Sequence, residues 1–72
     1  MTSETKNVLE AIVEQTTYRS GPRKGKAKKA IDCSHFYVKP VKLLAAADLI
    51  RFVDNALGYG YVATEKGVKE AQ

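Results

Sequence analysis

Leu44-Ala45-Ala46-Ala47-Asp48-Leu49-Ile50-Arg51-Phe52-Val53-Asp54-Asn55-Ala56-Leu57 is the stretch whose reading decides the fold. Alanine has the highest intrinsic helix propensity, and three alanines stand together near its start. Ala46, Leu49, Ile50, Val53 and Leu57 recur at helical spacing, with Asp48, Arg51, Asp54 and Asn55 on the opposite side. The spacing predicts a helix over Leu44–Leu57, stopped by Gly58 as the left-handed residue beyond its end. Past that glycine, Tyr59, Tyr61 and Ala63 alternate with Gly60, Val62 and Thr64, the period of a short strand.

Upstream, Ala30 to Lys39 reads as a strand. Ile31, Cys33, His35 and Tyr37 point one way; Ala30, Asp32, Ser34, Phe36 and Val38 point the other. Pro40 closes it or places it at a sheet edge. Ser20-Gly21-Pro22-Arg23-Lys24-Gly25-Lys26 is loop, because its glycines, its proline and its lack of apolar residues all oppose regular structure. A hairpin from Tyr18 to Val38 would hold that loop at its tip. Ser3 to Thr16 reads as an amphipathic helix: Val8, Leu9, Ile12, Val13 and Thr16 share a face, and Glu4, Lys6, Glu10 and Glu14 share the other. Ser3 and Asn7 are both N-cap candidates. The resulting class is α+β, two helices packed on one face of a small antiparallel sheet with a basic hairpin loop. Residues 1–64 form a single domain, and residues 65–72 are a frayed helix or a flexible tail.

Composition narrows the class of function. The chain has 72 residues, 44% of them hydrophobic, with no tryptophan. That is enough for one small core and no more. A single cysteine excludes an intramolecular disulfide, and one histidine beside one cysteine excludes a four-ligand structural zinc site, so neither metal nor cofactor is expected. A small domain without such staples fits a reducing cytosol. No apolar run approaches the roughly 20 residues of a membrane span.

Charge is where the chain departs from background. Six of its twelve Lys and Arg fall between Arg19 and Lys29, namely Arg19, Arg23, Lys24, Lys26, Lys28 and Lys29, and no acid occurs between Glu14 and Asp32. A flexible cationic loop suits phosphate, and it suits an acidic protein groove equally well. Tyr18 adjoins the loop and offers a stacking surface; Tyr59 and Tyr61 offer others, or ordinary core packing. Cys33 and His35 would share a strand face about 7 Å apart, too far for the hydrogen bond of a nucleophilic pair, so no catalytic residue is assigned. Gly58-Tyr59-Gly60 lacks the strand-to-helix setting of a phosphate-binding glycine loop.

Two resemblances bear on function. Gly60-Tyr61-Val62-Ala63-Thr64-Glu65-Lys66-Gly67 resembles the wing strand and following turn of winged-helix DNA-binding proteins, without the helix-turn-helix pair those folds place before the wing. Over most of its length the chain resembles the small transcription regulators of lytic Xanthomonas phages. Met1-Thr2-Ser3-Glu4-Thr5-Lys6-Asn7, Tyr18-Arg19-Ser20-Gly21-Pro22-Arg23-Lys24 and Asp32-Cys33-Ser34-His35-Phe36-Tyr37 carry that likeness. It implies a non-enzymatic protein that acts in the cytoplasm of the bacterial host. Its partner would be host RNA polymerase, bound near the start of the largest subunit. It would hinder sigma-dependent initiation and promote read-through of terminators. On that expectation the folded core docks to polymerase, while Tyr18, Arg19, Arg23, Lys24, Lys26, Lys28 and Lys29 face nascent RNA, DNA or an acidic groove. Lys6 and Asn7 are a second expected contact with protein. The alternative is a small basic DNA- or RNA-binding module of winged-helix type.

Overall fold

The computed structural model describes residues 2–72, in the order α1 (Ser3–Thr16), α2 (Val38–Ala46), β1 (Ile50–Asn55), β2 (Gly58–Ala63) and α3 (Glu65–Ala71). Met1, which opens the phage-like stretch, lies outside the described residues. The class is α+β, with helices packed against a two-stranded antiparallel sheet. There are three helices where the sequence reading has two.

Helix α1 has the expected bounds. Its N-cap is Thr2, one residue before Ser3 and well before Asn7: Thr2 Oγ1 accepts the Thr5 N–H at 3.2 Å and lies 2.9 Å from the Thr5 hydroxyl. Thr5, Val8, Leu9, Ile12 and Thr16 form its buried face, at the three- and four-residue spacing that one side of a helix presents.

The helix expected over Leu44–Leu57 does not form. Helix α2 ends at Ala46, and Asp48 takes a φ of 62°. The Asp48 N–H donates to the Ala45 carbonyl at 3.1 Å, and the Leu49 N–H donates to the Leu44 carbonyl at 2.9 Å. Those paired bonds are a Schellman motif, with Asp48 in the place glycine usually takes. Aspartate visits the left-handed region more readily than branched residues do, so the stop comes here and not at Gly58. Leu44 and Leu49, which the motif brings together, both enter the core. Beyond it, Ile50, Phe52 and Val53 favour strand, and β1 pairs with β2 from Ile50↔Ala63 through Asn55↔Gly58. Asn55 Oδ1 accepts the Leu57 N–H at 2.8 Å and fixes the turn between them.

The strand expected over Ala30–Lys39 is also absent, and with it the hairpin from Tyr18 to Val38. Only Ile31 pairs, exchanging bonds with Tyr61 at 3.0 and 2.8 Å. Asp32 then turns the chain: its carboxylate accepts the Ser34 N–H at 2.9 Å and the Ser34 hydroxyl at 3.0 Å. Pro40 sits in the first turn of α2, where backbone N–H groups have no intrahelical acceptor, so it marks a helix start and not a strand end. Gly60, at a φ of 146°, lies so close to this crossing segment that a Cβ would run into the Ile31 carbonyl.

Glu65–Ala71, read from sequence as a frayed helix or a tail, is the capped helix α3. Thr64 Oγ1 accepts the Gly67 N–H at 3.1 Å and donates to the Asp48 carbonyl at 2.6 Å. Helix α3 is thereby tied to the turn that ends α2. A Cβ on Gly67 would meet the Leu49 carbonyl. The winged-helix likeness does not extend to the fold: Thr17 to Tyr37 carries no helix, so no helix-turn-helix pair precedes the β1–β2 hairpin, and Gly60–Gly67 is the end of β2 running into α3. Among the described residues no helix is long and apolar enough to cross a membrane.

Leu9, Ile12, Leu44 and Ile50 are fully buried and centre the core; burial of each such side chain contributes about 1.5–3 kcal/mol. Thr16 is equally buried but polar. Its hydroxyl donates to the Ile12 carbonyl at 2.7 Å and accepts the Ala63 N–H at 3.1 Å. Its carbonyl accepts the Lys28 N–H at 2.7 Å. Thr16→Val keeps the shape of this side chain but strands the buried Ala63 N–H. It should lower stability by about 1–3 kcal/mol in urea unfolding; an unchanged midpoint would show that the bond is dispensable.

Candidate functional site

The cationic stretch leaves α1 at Thr17 and returns at Ala27, where the two residues form an isolated antiparallel bridge. Tyr18 anchors it from both backbone groups: its N–H donates to the Lys26 carbonyl at 3.1 Å and its carbonyl accepts the Gly25 N–H at 2.9 Å. Within it, the Lys24 N–H reaches the Gly21 carbonyl at 3.2 Å and the Lys26 N–H the Arg23 carbonyl at 2.9 Å. Thr17, buried at the root, donates its hydroxyl to the Val13 carbonyl at 2.6 Å.

Each of the six cations is exposed, but their surroundings differ. The Arg19 guanidinium lies 3.0 Å from the Glu14 carboxylate, and the Lys26 ammonium 3.9 Å from Glu65. Both pairs face solvent and add little stability. The Arg23 guanidinium stands 5.8 Å from the centre of the Tyr18 ring, within cation–π range. Arg23, Lys24, Lys28 and Lys29 have no carboxylate partner among the described residues. An open groove of about 1000 Å³ separates the loop from α1 and α3, with Glu10, Glu14 and Glu65 in its walls beside Lys24, Lys26 and Lys69. Arg19, Lys24 and Lys26 thus share the groove with the carboxylates, while Arg23, Lys28 and Lys29 lie outside its lining. Lys6 and Asn7 are exposed near the start of α1. At the helical rise per residue they stand roughly 15 Å along the axis from Thr16, so the structure does not bring them to the loop.

A second surface is built from residues that sequence reading separates. Phe52 meets Tyr59 edge-on at 4.9 Å between ring centres and Tyr61 at 5.6 Å. Tyr59 is 71% exposed and Phe52 48%. The rings wall a cleft of about 410 Å³ whose other side is Phe36, Val38 and Val41. Placed on a helix, Phe52 has no relation to the tyrosines. The signal that finds it is the alternation of Ile50 and Phe52 opposite Tyr61 and Ala63.

Cys33 and His35 lie in the turn after Ile31, not on a strand. Cys33 is buried in the core, and His35 is exposed with its ring 4.1 Å from that of Phe36. Burial, with a smaller push from the Asp32 charge, raises the Cys33 thiol to about 11. A thiol so protonated at neutral pH is a poor nucleophile. No family model, curated protein or solved structure matched this chain in comparison.

The raised thiol carries a sign for stability. The folded state holds the Cys33 proton more tightly than the unfolded chain, so this contribution is complete below about pH 9 and lost as pH rises towards 11. Relative to Cys33→Ala, the native chain should lose stability across that window in urea titrations. A difference between the two that stays flat from pH 8 to pH 11 would rule the shift out.

Proposed function

We propose that this chain is a non-enzymatic regulator of phage type that binds host RNA polymerase through the N-terminal part of the largest subunit. In the host cytoplasm it hinders sigma-dependent initiation and lets elongating enzyme pass terminators. The observation that carries this reading is the cationic loop, rooted in the core through Thr16 and Tyr18 with its six charged side chains exposed. A loop of that kind can enter an RNA-lined channel or an acidic groove without unfolding what carries it. The partner itself comes from the whole-chain resemblance to the phage regulators.

The body and the loop divide the work. The packed helices and hairpin present a fixed shape that can occupy a polymerase surface stoichiometrically, with Lys6 and Asn7 at the far end of α1 as a separate point of contact. The loop cations then face nucleic acid or acidic protein, where charge chiefly accelerates encounter and fixes register. Direct DNA or RNA binding is the second reading, favoured by the four loop cations, Arg23, Lys24, Lys28 and Lys29, that lack a carboxylate partner among the described residues.

The two readings part under charge reversal of Arg19, Arg23, Lys24, Lys26, Lys28 and Lys29 to Glu. The native chain should copurify with bacterial core polymerase at micromolar concentration and raise read-through at an intrinsic terminator in a run-off assay. The reversed chain should keep most of its affinity for core enzyme and lose read-through. If the native chain fails to bind core enzyme, the proposal is wrong. If reversal abolishes all binding, the direct nucleic-acid reading replaces it.

A further inference from the structure

The aromatic face on β1 and β2 has no part in the reading above. Phe52, Tyr59 and Tyr61 stand at edge-to-face distances with Tyr59 and Phe52 largely open to solvent. A soluble domain gains nothing in folding from leaving two rings there. The chain that follows the loop is pinned to the same hairpin: the Ala30 N–H donates at 2.9 Å to the carbonyl of Leu57, in the turn between β1 and β2, and Ile31 and Tyr61 exchange bonds at 3.0 and 2.8 Å. Lys28 and Lys29, exposed and without carboxylate partners among the described residues, immediately precede this anchor in the chain, and Lys42 lines the ring-walled cleft itself.

We propose that Phe52, Tyr59 and Tyr61, with Lys28 and Lys29, form a binding site for single-stranded nucleic acid. The rings stack unpaired bases, and the lysines hold the adjoining phosphates. Two features of the site select this occupant. Positive charge beside aromatic rings complements a polyanion that carries π faces, which an apolar peptide does not offer. The bases of a duplex are already stacked on one another and cannot reach a ring, so the strand must be single. The cleft of about 410 Å³ gives a displaced base room between Phe52 and Val38. Lys42 on its wall adds one more cation, and the Asp32 carboxylate on the same wall is already engaged by the Ser34 N–H and hydroxyl. The site does not depend on polymerase docking and belongs to the isolated chain.

The test is fluorescence titration of the full chain with oligouridylate, oligothymidylate and a duplex of equal length. The chain has four tyrosines and no tryptophan, so base stacking reads out directly as tyrosine quenching. Both single strands should quench and the duplex should not, since a π face reads the base and not the sugar. Affinity should fall with salt at a log–log slope near −0.7 per phosphate held, and Lys28→Ala with Lys29→Ala should flatten that slope. Phe52→Leu and Tyr59→Leu keep apolar volume without the π face, and each should weaken binding about tenfold with an unchanged far-ultraviolet spectrum. Tyr59→Phe should bind as the native chain does. The inference falls if neither oligomer quenches at low salt, or if the leucine variants bind as well as the native chain. It falls equally if those variants lose core polymerase while nucleic-acid binding is unmoved, which would make the cleft a protein-docking face.

Discussion

Thr16 is the point at which three segments meet. Its hydroxyl donates back into α1 and accepts the amide of Ala63 from β2, while its carbonyl takes the amide of Lys28 where the cationic stretch returns. No solvent reaches it to substitute for any of these partners. Removing the hydroxyl would leave a buried donor without an acceptor, which is why a single threonine constrains so much of this small core. Thr17, buried beside it, bonds back to Val13 and pairs across to Ala27, so the root of the loop is continuous with the helix. In a chain with so little apolar material, these polar joints set where its parts stand relative to one another.

Anchoring of this kind reconciles two demands that otherwise conflict. Six like charges within a short segment repel one another and favour an extended chain. The loop answers with hydrogen bonds at its neck, a guanidinium stacked against Tyr18, and two exposed ion pairs that neutralise part of its base. The ion pairs are exposed and weak, so the neck bonds contribute more than they do to holding the loop. The aromatic cluster on β1 and β2 sits on the same framework, reached through Ala30 and Ile31.

Helix α1 and strand β2 were legible in the sequence because their patterns are local. Val8, Leu9, Ile12 and Thr16 repeat at helical spacing, and Tyr59, Tyr61 and Ala63 alternate. The cationic loop was legible as a composition, and its glycines and proline as a break. Leu44–Leu57 was misread because Leu49, Ile50 and Val53 satisfy a helical period as well as they satisfy a turn followed by a strand. What decides between them is the left-handed Asp48, whose cost is offset by the Leu44–Leu49 contact and by Thr64 bonding to its carbonyl from sixteen residues away. Such a contact has no signature in a local window. Pro40 misled for a related reason: proline ends a strand and opens a helix with equal ease, and only the Asp32 turn before it shows which applies. The aromatic cleft followed Phe52 into the wrong element.

Native-state hydrogen exchange at the amides of Ala63, Lys28 and Lys24 tests the Thr16 joint most directly. If Thr16 makes helix, loop root and hairpin one cooperative unit, Ala63 and Lys28 will exchange with the same opening free energy, equal to that of global unfolding. Lys24, out in the loop, will exchange far faster. Exchange of Lys28 at the rate of Lys24, with Ala63 alone protected, would show that the loop moves independently of the core and that the joint does not hold it.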